Sequence, residues 1–304
     1  MKQGNLAASV RQRLLNLSKK QGEDFNLTLS RYANERLLYR LASSDYANRF
    51  ALKGASLFFV WTGQLHRPTR DIDLLGYGKA SQEKMRHIFQ TLCELEVEPD
   101  GIFFDSESIR VQEIKAAEKY PGIRVILNGY LGTARIRMQV DIGFGDAVTP
   151  ALQHVQYPGL LGFPAPKLAA YPKETVIAEK FETMIARGNL NSRMKDFYDV
   201  WLMSRRFTFN GALLALAIKT TFKQRQTPFP QDIPVALTGD YSISTKAQKQ
   251  WRAFVSRSSL SGAEVGFFTV ITQLRSFLLP PFDAVKGNYL FERVWHPDTG
   301  WRKV

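Results

Sequence analysis

The 304-residue chain has little cysteine and histidine: Cys93 is the only cysteine, and the four histidines are scattered without the spacing of a metal site. A single cysteine excludes an intrachain disulfide and a zinc ribbon, and it suits a reducing compartment. No apolar run reaches the roughly 18 residues of a membrane span. The N-terminal segment carries charges throughout instead of the apolar core of a secretory signal. We therefore expect a cytoplasmic protein without membrane segments.

Acidic residues are also scarce relative to basic ones. Lysine and arginine total 41 against 28 acidic residues, which gives a net charge of +13 and a pI near 9.8. Such an excess favours polyanionic partners, namely nucleic acid, nucleotide phosphates or an acidic protein. Many basic proteins bind no anion specifically, so the charge alone leaves the choice open.

Hydrophobic periodicity divides the chain near residue 152. The first part has helical patterns over its first fifty residues, a short helix in SLFFVWTG, a strand in IDLLG and an amphipathic helix capped by Ser81. A Pro/Gly-rich connector, YPGLLGFPAP, precedes patterns that are mainly helical. We predict an α+β protein with an α/β lobe over 1–152, including the N-terminal helices, and a mainly helical lobe over 153–304. The predicted strands that end the first lobe lie around 109–114, 123–131 and 134–144, and the predicted helices of the second cover 173–187, 194–207, 211–224, 246–256 and 265–278.

Two aspartates one residue apart interrupt the first predicted strand. Asp71 and Asp73 in RDIDLLG are two positions apart, so their side chains project to the same face of a strand. Two neighbouring ionised carboxylates repel each other unless a cation lies between them. The spacing therefore indicates a cation site. The alternative is a strand end at the protein surface, where both acids are simply hydrated.

A third carboxylate lies on a strand with strict alternation, ARIRMQVDIGF. Asp141 belongs to its polar face, together with Arg135 and Arg137. If this strand neighbours the first, Asp141 can join Asp71 and Asp73 in a three-carboxylate site suited to Mg²⁺. Two such ions clamp an in-line nucleotidyl displacement. The alternative is a solvated strand edge with Asp141 paired to Arg137 or Arg135.

Three further segments carry residues suited to phosphate binding. Gly54 allows a close backbone approach, and Ser56 begins a helix whose free N–H groups can face a phosphate; an ordinary capped turn is the alternative. Lys180 flanks the apolar stripe of its helix, where it either reaches a ligand or extends along the surface. Asp196 and Asp199 are i,i+3 neighbours, and a charged helix start explains them equally well.

Together these segments resemble the AbiEii/MenT family of nucleotidyltransferase toxins. The resemblance covers residues from about 50 to 202, and the combination is more specific than any single segment. Ala55 departs from the family pattern, which commonly has a second glycine before the hydroxyl residue. The matching segments are LKGAS, RPTRDIDL, VDIGFGD, AEKFETMIARG and NSRMKDFYDVWLM.

The resemblance implies a polymerase-β-like nucleotidyltransferase lobe followed by a mainly helical lobe that contributes nucleotide- or RNA-binding residues. The family consists of toxins of bacterial toxin–antitoxin systems, so a cognate antitoxin is an implied partner. Some members add nucleotides from an NTP to the 3′ CCA end of tRNA. The basic charge of this chain would then suit the tRNA backbone.

The resemblance also implies a role for each candidate residue. Asp71, Asp73 and Asp141 would hold Mg²⁺ or Mn²⁺, and Asp141 would help to deprotonate the attacking hydroxyl. The remaining implied contacts are with the nucleotide: Gly54 and Ser56 with the β- and γ-phosphates, Lys180 with the triphosphate, and Asp199, with Asp196, orienting Lys180 or the nucleotide.

Two other functions remain open from the sequence. An enzyme on this fold can transfer a nucleotide to a protein or a small molecule, and the basic charge argues only mildly against such acceptors. A module that binds nucleotide or RNA without turnover is the other alternative. Three carboxylates near phosphates count against it, because binding alone does not need them.

Overall fold

The computed structural model describes residues 3–64, 66–114, 122–258, 260 and 265–303. The chain divides into two compact units, one with residues 1–145 and 153–170 and the other with residues 146–152 and 171–304. Among the described helices, none combines the length and apolarity needed to cross a bilayer.

The first unit begins with two long helices and continues as a sheet with shorter helices between its strands. The predicted helices, the Asp-x-Asp strand and the strands over 123–131 and 134–144 are confirmed. The strand predicted around 109–114 is longer, and three strands, over 50–53, 153–156 and 167–170, were not predicted. The bounds are α1 Gln3–Gln21, α2 Phe25–Ala42, β1 Phe50–Lys53, α3 Ser56–Thr62, β2 Ile72–Gly76, α4 Gln82–Glu94, β3 Ile102–Ile114, β4 Gly122–Leu131, β5 Ala134–Phe144, β6 Gln153–Gln156 and β7 Lys167–Ala170.

Within the described residues, seven strands form one mixed sheet in the order β3-β4-β5-β2-β1-β7-β6. β3, β4 and β5 are antiparallel neighbours, and β2 lies parallel to β5 and antiparallel to β1. β2 is therefore central, so both of its edges are paired. This arrangement brings the Asp-x-Asp strand beside the strand of the third carboxylate.

Two capped helices cover one face of this sheet. Asp24 accepts a hydrogen bond from the Leu27 N–H at the start of α2, and Ser81 accepts one from the Lys84 N–H at the start of α4. Each cap satisfies a backbone donor that the helix itself leaves unpaired. The apolar faces of α2 and α4 pack on β2 and β5. The side chains that line this layer are Leu37, Leu38, Leu41, Ile72, Leu74, Phe89, Leu92 and Val140.

The Pro/Gly-rich connector between β6 and β7 is held on α2 by a buried ion pair. Glu35 and Arg36 are 0% and 1% exposed. The Glu35 carboxylate accepts from the Leu160 N–H at 2.8 Å, and Arg36 donates to the Pro164 carbonyl at 2.7 Å. Burial raises the pKa of Glu35 against the opposing charge of Arg36. Backbone N–H and C=O groups of the connector, which has little regular structure, are thus hydrogen-bonded to side chains of α2.

The second unit contains helices and, among its described residues, a three-stranded antiparallel sheet in the order β10-β9-β8. The predicted helices over 173–187 and 211–224 are confirmed at both ends, and those over 194–207 and 246–256 agree to within two residues. The bounds are α5 Lys173–Arg187, α6 Met194–Arg206, β8 Phe209–Asn210, α7 Gly211–Gln224, α8 Gly239–Ile243, α9 Thr245–Ser258, α10 Phe267–Lys286, β9 Arg293–His296 and β10 Gly300–Lys303.

The predicted end of the last helix at residue 278 is wrong, because α10 continues through Pro280 and Pro281 to Lys286. Tertiary packing explains the continuation. The ring of Phe282, one residue beyond the proline pair, lies 5.2 Å from that of Phe181. Aromatic burial of this kind offsets the hydrogen bonds that the prolines remove.

Candidate functional site

The three candidate carboxylates lie together on one side of the first unit's sheet. The parallel pairing of β2 and β5 places Asp73 directly opposite Asp141. Asp71 precedes β2 by one residue and lies two positions from Asp73. Their neighbours Ile72 and Val140 point into the layer covered by α2 and α4. The sequence prediction required the two strands to be neighbours, and they are.

A close approach by the turn after β1 fixes the position of Asp73. Lys53 is paired with Asp73 across the antiparallel β1–β2 ladder, and Gly54 follows with φ +76°. A Cβ atom at Gly54 would lie 2.0 Å from Oδ2 of Asp73. Only glycine therefore fits, for both the backbone conformation and the space.

Gly54→Ala is expected to reduce nucleotide transfer at least tenfold, because the added methyl displaces the Asp73 carboxylate. Gly63→Ala supplies the matched control. Gly63 has a similar φ of +71°, but a Cβ atom there meets nothing within 4 Å. Both variants carry the same backbone strain of about 1–2 kcal/mol, which thermal unfolding measures. Equal transfer rates in the two variants would show that Asp73 does not need its observed position.

Arg124 on β4 is the ion-pair partner of Asp141. Its Nε donates to Oδ1 of Asp141 and its Nη2 to Oδ2, each at 2.8 Å. The hydrogen-bonded Asp141 and the charges of Asp71 and Asp73 raise the pKa of Arg124 against the effect of burial. All three carboxylates therefore act on one guanidinium group. The alternative pairing of Asp141 with an arginine of its own strand is not observed.

Sequence reasoning missed Arg124, although a signal was available. The two-residue connection at 132–133 joins β4 to β5, so Leu131 pairs with Ala134 and the register follows along both strands. That register places Arg124 opposite Asp141. Counting from the turn would have identified the pair.

The donor atoms fit a magnesium ion carried by a nucleotide. Asp71 and Asp73 offer carboxylate oxygens on one face, and Mg²⁺ commonly binds through one or two carboxylates plus substrate phosphates. Both oxygens of Asp141 accept from Arg124, and Oδ2 also accepts from Nε2 of Gln139 at 3.3 Å. A carboxylate oxygen has two lone pairs, so Oδ1 is the oxygen that retains one for another partner. Over the described ranges, no group of three or more His, Cys, Asp or Glu side chains is already arranged around a metal position.

Ser56 is the first residue of α3 and is 4% exposed. Ala55 occupies the N-cap position without a side-chain hydrogen bond. The glycine and serine of the LKGAS segment therefore lie at a turn and a helix start, as the sequence indicated. Their contact with phosphate stays a prediction.

The second unit holds a separate, buried charged group around Lys180. Its Nζ lies 2.7 Å from Oδ1 of Asp196 and 2.8 Å from Oδ2 of Asp199. The two carboxylates are 1% and 0% exposed, and Lys180 is 14% exposed. A surface lysine extending into water is thus the wrong alternative. The i,i+3 spacing on α6 directs both carboxylates to the same lysine.

Arg193 completes this group. Its Nε donates to Oδ2 of Asp196 at 2.6 Å. Burial opposes ionisation of Asp196, but the charges of Lys180 and Arg193 keep its pKa below the ordinary value. Asp196 is therefore ionised near neutral pH and holds the lysine in a fixed position.

A third charged group, around Arg225, was not predicted. Arg225 lies 2.8 Å from both Asp146 and Glu182 and 3.4 Å from Glu179. Asp146 ends the VDIGFGD segment, so this motif residue has a structural contact in the second unit. Glu179 immediately precedes Lys180, and the group therefore helps to fix α5. Arg225 and Asp146 are 79 positions apart, and no pattern in the sequence links them.

A mixed α+β fold with grouped carboxylates beside a glycine turn is the arrangement expected of a nucleotidyltransferase. A family model described as "Nucleotidyl transferase AbiEii toxin, Type IV TA system" matches residues 36–286. The chain belongs to this family of nucleotidyltransferase toxins. The match extends well beyond residue 202, where the segment-by-segment resemblance ended.

The comparison with curated proteins gave no match. Two solved structures from Helicobacter pylori are similar to the chain. JHP933 is 13% identical, with 83% of this chain and 90% of that chain covered and a TM-score of 0.47. A putative nucleotidyltransferase is 14% identical, with 84% and 94% covered and the same TM-score of 0.47.

Proposed function

We propose that this toxin transfers nucleotides from an NTP to the 3′ end of tRNA and thereby blocks translation. The observation that carries the proposal is the grouping of Asp71, Asp73 and Asp141 at the neighbouring parallel strands β2 and β5. The turn at Gly54 packs directly against Asp73. Family membership supports nucleotide transfer, and the net charge of +13 supports a nucleic-acid acceptor. The proposal includes a polymerase-β-like lobe over 1–152 and a nucleotide- and RNA-binding lobe over 153–304.

In this proposal the first unit binds the reacting groups. Asp71, Asp73 and Asp141 would hold Mg²⁺ or Mn²⁺, which, when bound, neutralises the charge that develops on the phosphates. Gly54 and Ser56 contact the β- and γ-phosphates through backbone N–H groups. Arg124 orients Asp141, and the lone pair that Oδ1 of Asp141 retains accepts the proton of the attacking 3′ hydroxyl.

The buried group of the second unit is assigned to the triphosphate through its match to the family segments. Lys180 contacts the triphosphate as a compact positive charge. Asp196 and Asp199 hold its ammonium group in one position, so little side-chain entropy is lost on binding. The toxin–antitoxin description of the family implies a cognate antitoxin as the protein partner.

Incubation with each α-phosphate-labelled NTP and total RNA distinguishes the three functions. Label in the tRNA band supports tRNA transfer. Label in protein supports nucleotide transfer to a protein acceptor. Absence of label in RNA, protein and small molecules would indicate a binding module.

Transfer is expected to require a divalent cation, because the proposed ligands are carboxylate and phosphate oxygens. Excess chelator should stop the reaction, and added Mg²⁺ or Mn²⁺ should restore it. The rate of label incorporation measures both steps. Undiminished incorporation in excess chelator would rule out the metal-dependent mechanism.

A further inference from the structure

One side of the β3–β4–β5 sheet presents polar and aromatic side chains to solvent. The opposite side packs on α2 and α4. Along β5, residues at even positions from 136 to 144 are buried, whereas Arg135 and Arg137 are exposed. β4 alternates in the same way, so its Tyr130 shares the outward side with Arg135, its direct cross-strand partner. Phe103, opposite Tyr130 on β3, is 63% exposed.

This outward side is continuous with the candidate carboxylates. The residues of β5 that follow Asp141 toward the N-terminus on the same side are Gln139, Arg137 and Arg135. Six residues of strand separate Asp141 from Arg135, a length of about 20 Å. A ligand chain lying along β5 can therefore contact both arginines and end at Asp141.

The chemistry of the surface suits single-stranded nucleic acid. Arg135 and Arg137 form no ion pair with any residue described in the structure, and Arg135 donates one hydrogen bond to Asn128. The rings of Phe103 and Tyr130 lie 6.4 Å apart. Exposed aromatic rings stack with unpaired bases, and arginines contact the phosphates between them.

One acidic residue of β3, Asp105, lies two positions from Phe103. Asp105 is opposite Asn128 in the β3–β4 ladder. Its carboxylate accepts hydrogen bonds from the N–H groups of Glu107 and Ser108 within its own turn. These hydrogen bonds hold the Asp105 carboxylate within its own turn, and no ion pair between Asp105 and Arg135 or Arg137 is observed.

We propose that the open sheet face, defined by Phe103, Tyr130, Arg135 and Arg137, binds the single-stranded 3′ segment of the RNA acceptor and directs its terminal hydroxyl toward Asp141. This inference rests on the proposed function and adds the surface that receives the acceptor. Base faces are accessible only in unpaired RNA, so the aromatic pair selects a single strand over a duplex.

The test uses three double variants of the full chain and a fluorescent single-stranded RNA that ends in CCA. Arg135→Gln/Arg137→Gln removes the phosphate contacts, and Phe103→Ala/Tyr130→Ala removes the stacking rings. The control is Lys19→Gln/Lys84→Gln, which removes two exposed lysines from α1 and from α4. α4 lies on the opposite side of the sheet. Thermal unfolding confirms that each variant is folded.

Fluorescence anisotropy is expected to show weaker RNA binding for both test variants and nearly unchanged binding for the control. Loss of two phosphate contacts should lower the slope of log Kd against log salt by about 1.4. Loss of stacking should weaken binding about fivefold to a hundredfold. Both test variants should also transfer nucleotide to this RNA more slowly at subsaturating RNA.

Equal RNA binding by the test variants and the control would overturn the inference. In that case, label transfer to RNA by the wild type would show that the proposed function still stands. Weaker binding of the cognate antitoxin with unchanged RNA binding would assign the face to a protein and likewise overturn it. If the wild type labels no RNA with any NTP, the proposed function fails and the inference fails with it. Photo-crosslinking of thiouridine-containing RNA to the wild type gives a second readout: peptides from β3–β5 support the inference, and crosslinks only elsewhere contradict it.

Discussion

Asp73→Asn is expected to abolish nucleotide transfer while leaving the chain folded. Asp73 lies opposite Asp141 and against Gly54, so the amide replaces the carboxylate that we propose as a metal ligand. Loss of charge stabilisation at a phosphoryl centre costs several kcal/mol, or on the order of a thousandfold in rate. Asp71→Asn is expected to act in the same direction. Label incorporation from NTP measures the effect.

Asp232→Asn is the control for this substitution, because Asp232 is exposed in a loop of the second unit. It should retain full transfer activity. Thermal unfolding of both variants separates a loss of fold from a loss of chemistry. Comparable stability with full activity in Asp73→Asn would remove Asp73 from the catalytic group.

Lys180→Ala is expected to lose both NTP binding and stability. A charge-assisted contact with phosphate is worth about 1.5–3 kcal/mol, so NTP binding should weaken about tenfold to over a hundredfold. The substitution also removes the lysine from two fully buried carboxylates, at a cost on the order of 3 kcal/mol. The burial of both carboxylates is therefore the reason to expect a loss of stability beside the loss of NTP binding.

The control for Lys180 is Lys219→Ala on α7, where the lysine is exposed. Lys173 is less suitable, although it lies on the same helix, because its Nζ lies 4.5 Å from the centre of the Phe207 ring. Lys180→Arg should restore activity poorly, since a planar guanidinium does not replace a compact ammonium. NTP affinity is measured below the unfolding temperature of each variant. Equal affinities in Lys180→Ala and Lys219→Ala would contradict the assigned contact.

Local pattern was sufficient to predict much of the first unit and part of the candidate site. Strict alternation placed Asp141 on the outward side of β5, and the i,i+2 spacing grouped Asp71 with Asp73. The i,i+3 spacing placed Asp196 and Asp199 on one side of their helix, and the family resemblance implied their relation to Lys180. The inferences from spacing each depend on residues within one strand or helix, where periodicity fixes the side.

Contacts between segments that are distant in the sequence could not be predicted from local pattern. The ion pairs of Arg225 join it to Asp146, and the pairing of β8 with β9 joins residues more than eighty positions apart. The hairpin of β9 and β10 was missed for a different reason. Its strands are only four residues long. The sequence indicates them only by one tryptophan in each strand, Trp295 and Trp301, and by the turn residues between the strands.

Transfer to the 3′ end of tRNA is tested by incubating purified tRNA with each α-phosphate-labelled NTP and Mg²⁺, once with an intact 3′ ribose and once after periodate oxidation. We expect label in intact tRNA with the wild type, and none in oxidised tRNA or with Asp73→Asn. Equal labelling of intact and oxidised tRNA, or label that appears only in protein, would contradict transfer to the tRNA 3′ hydroxyl.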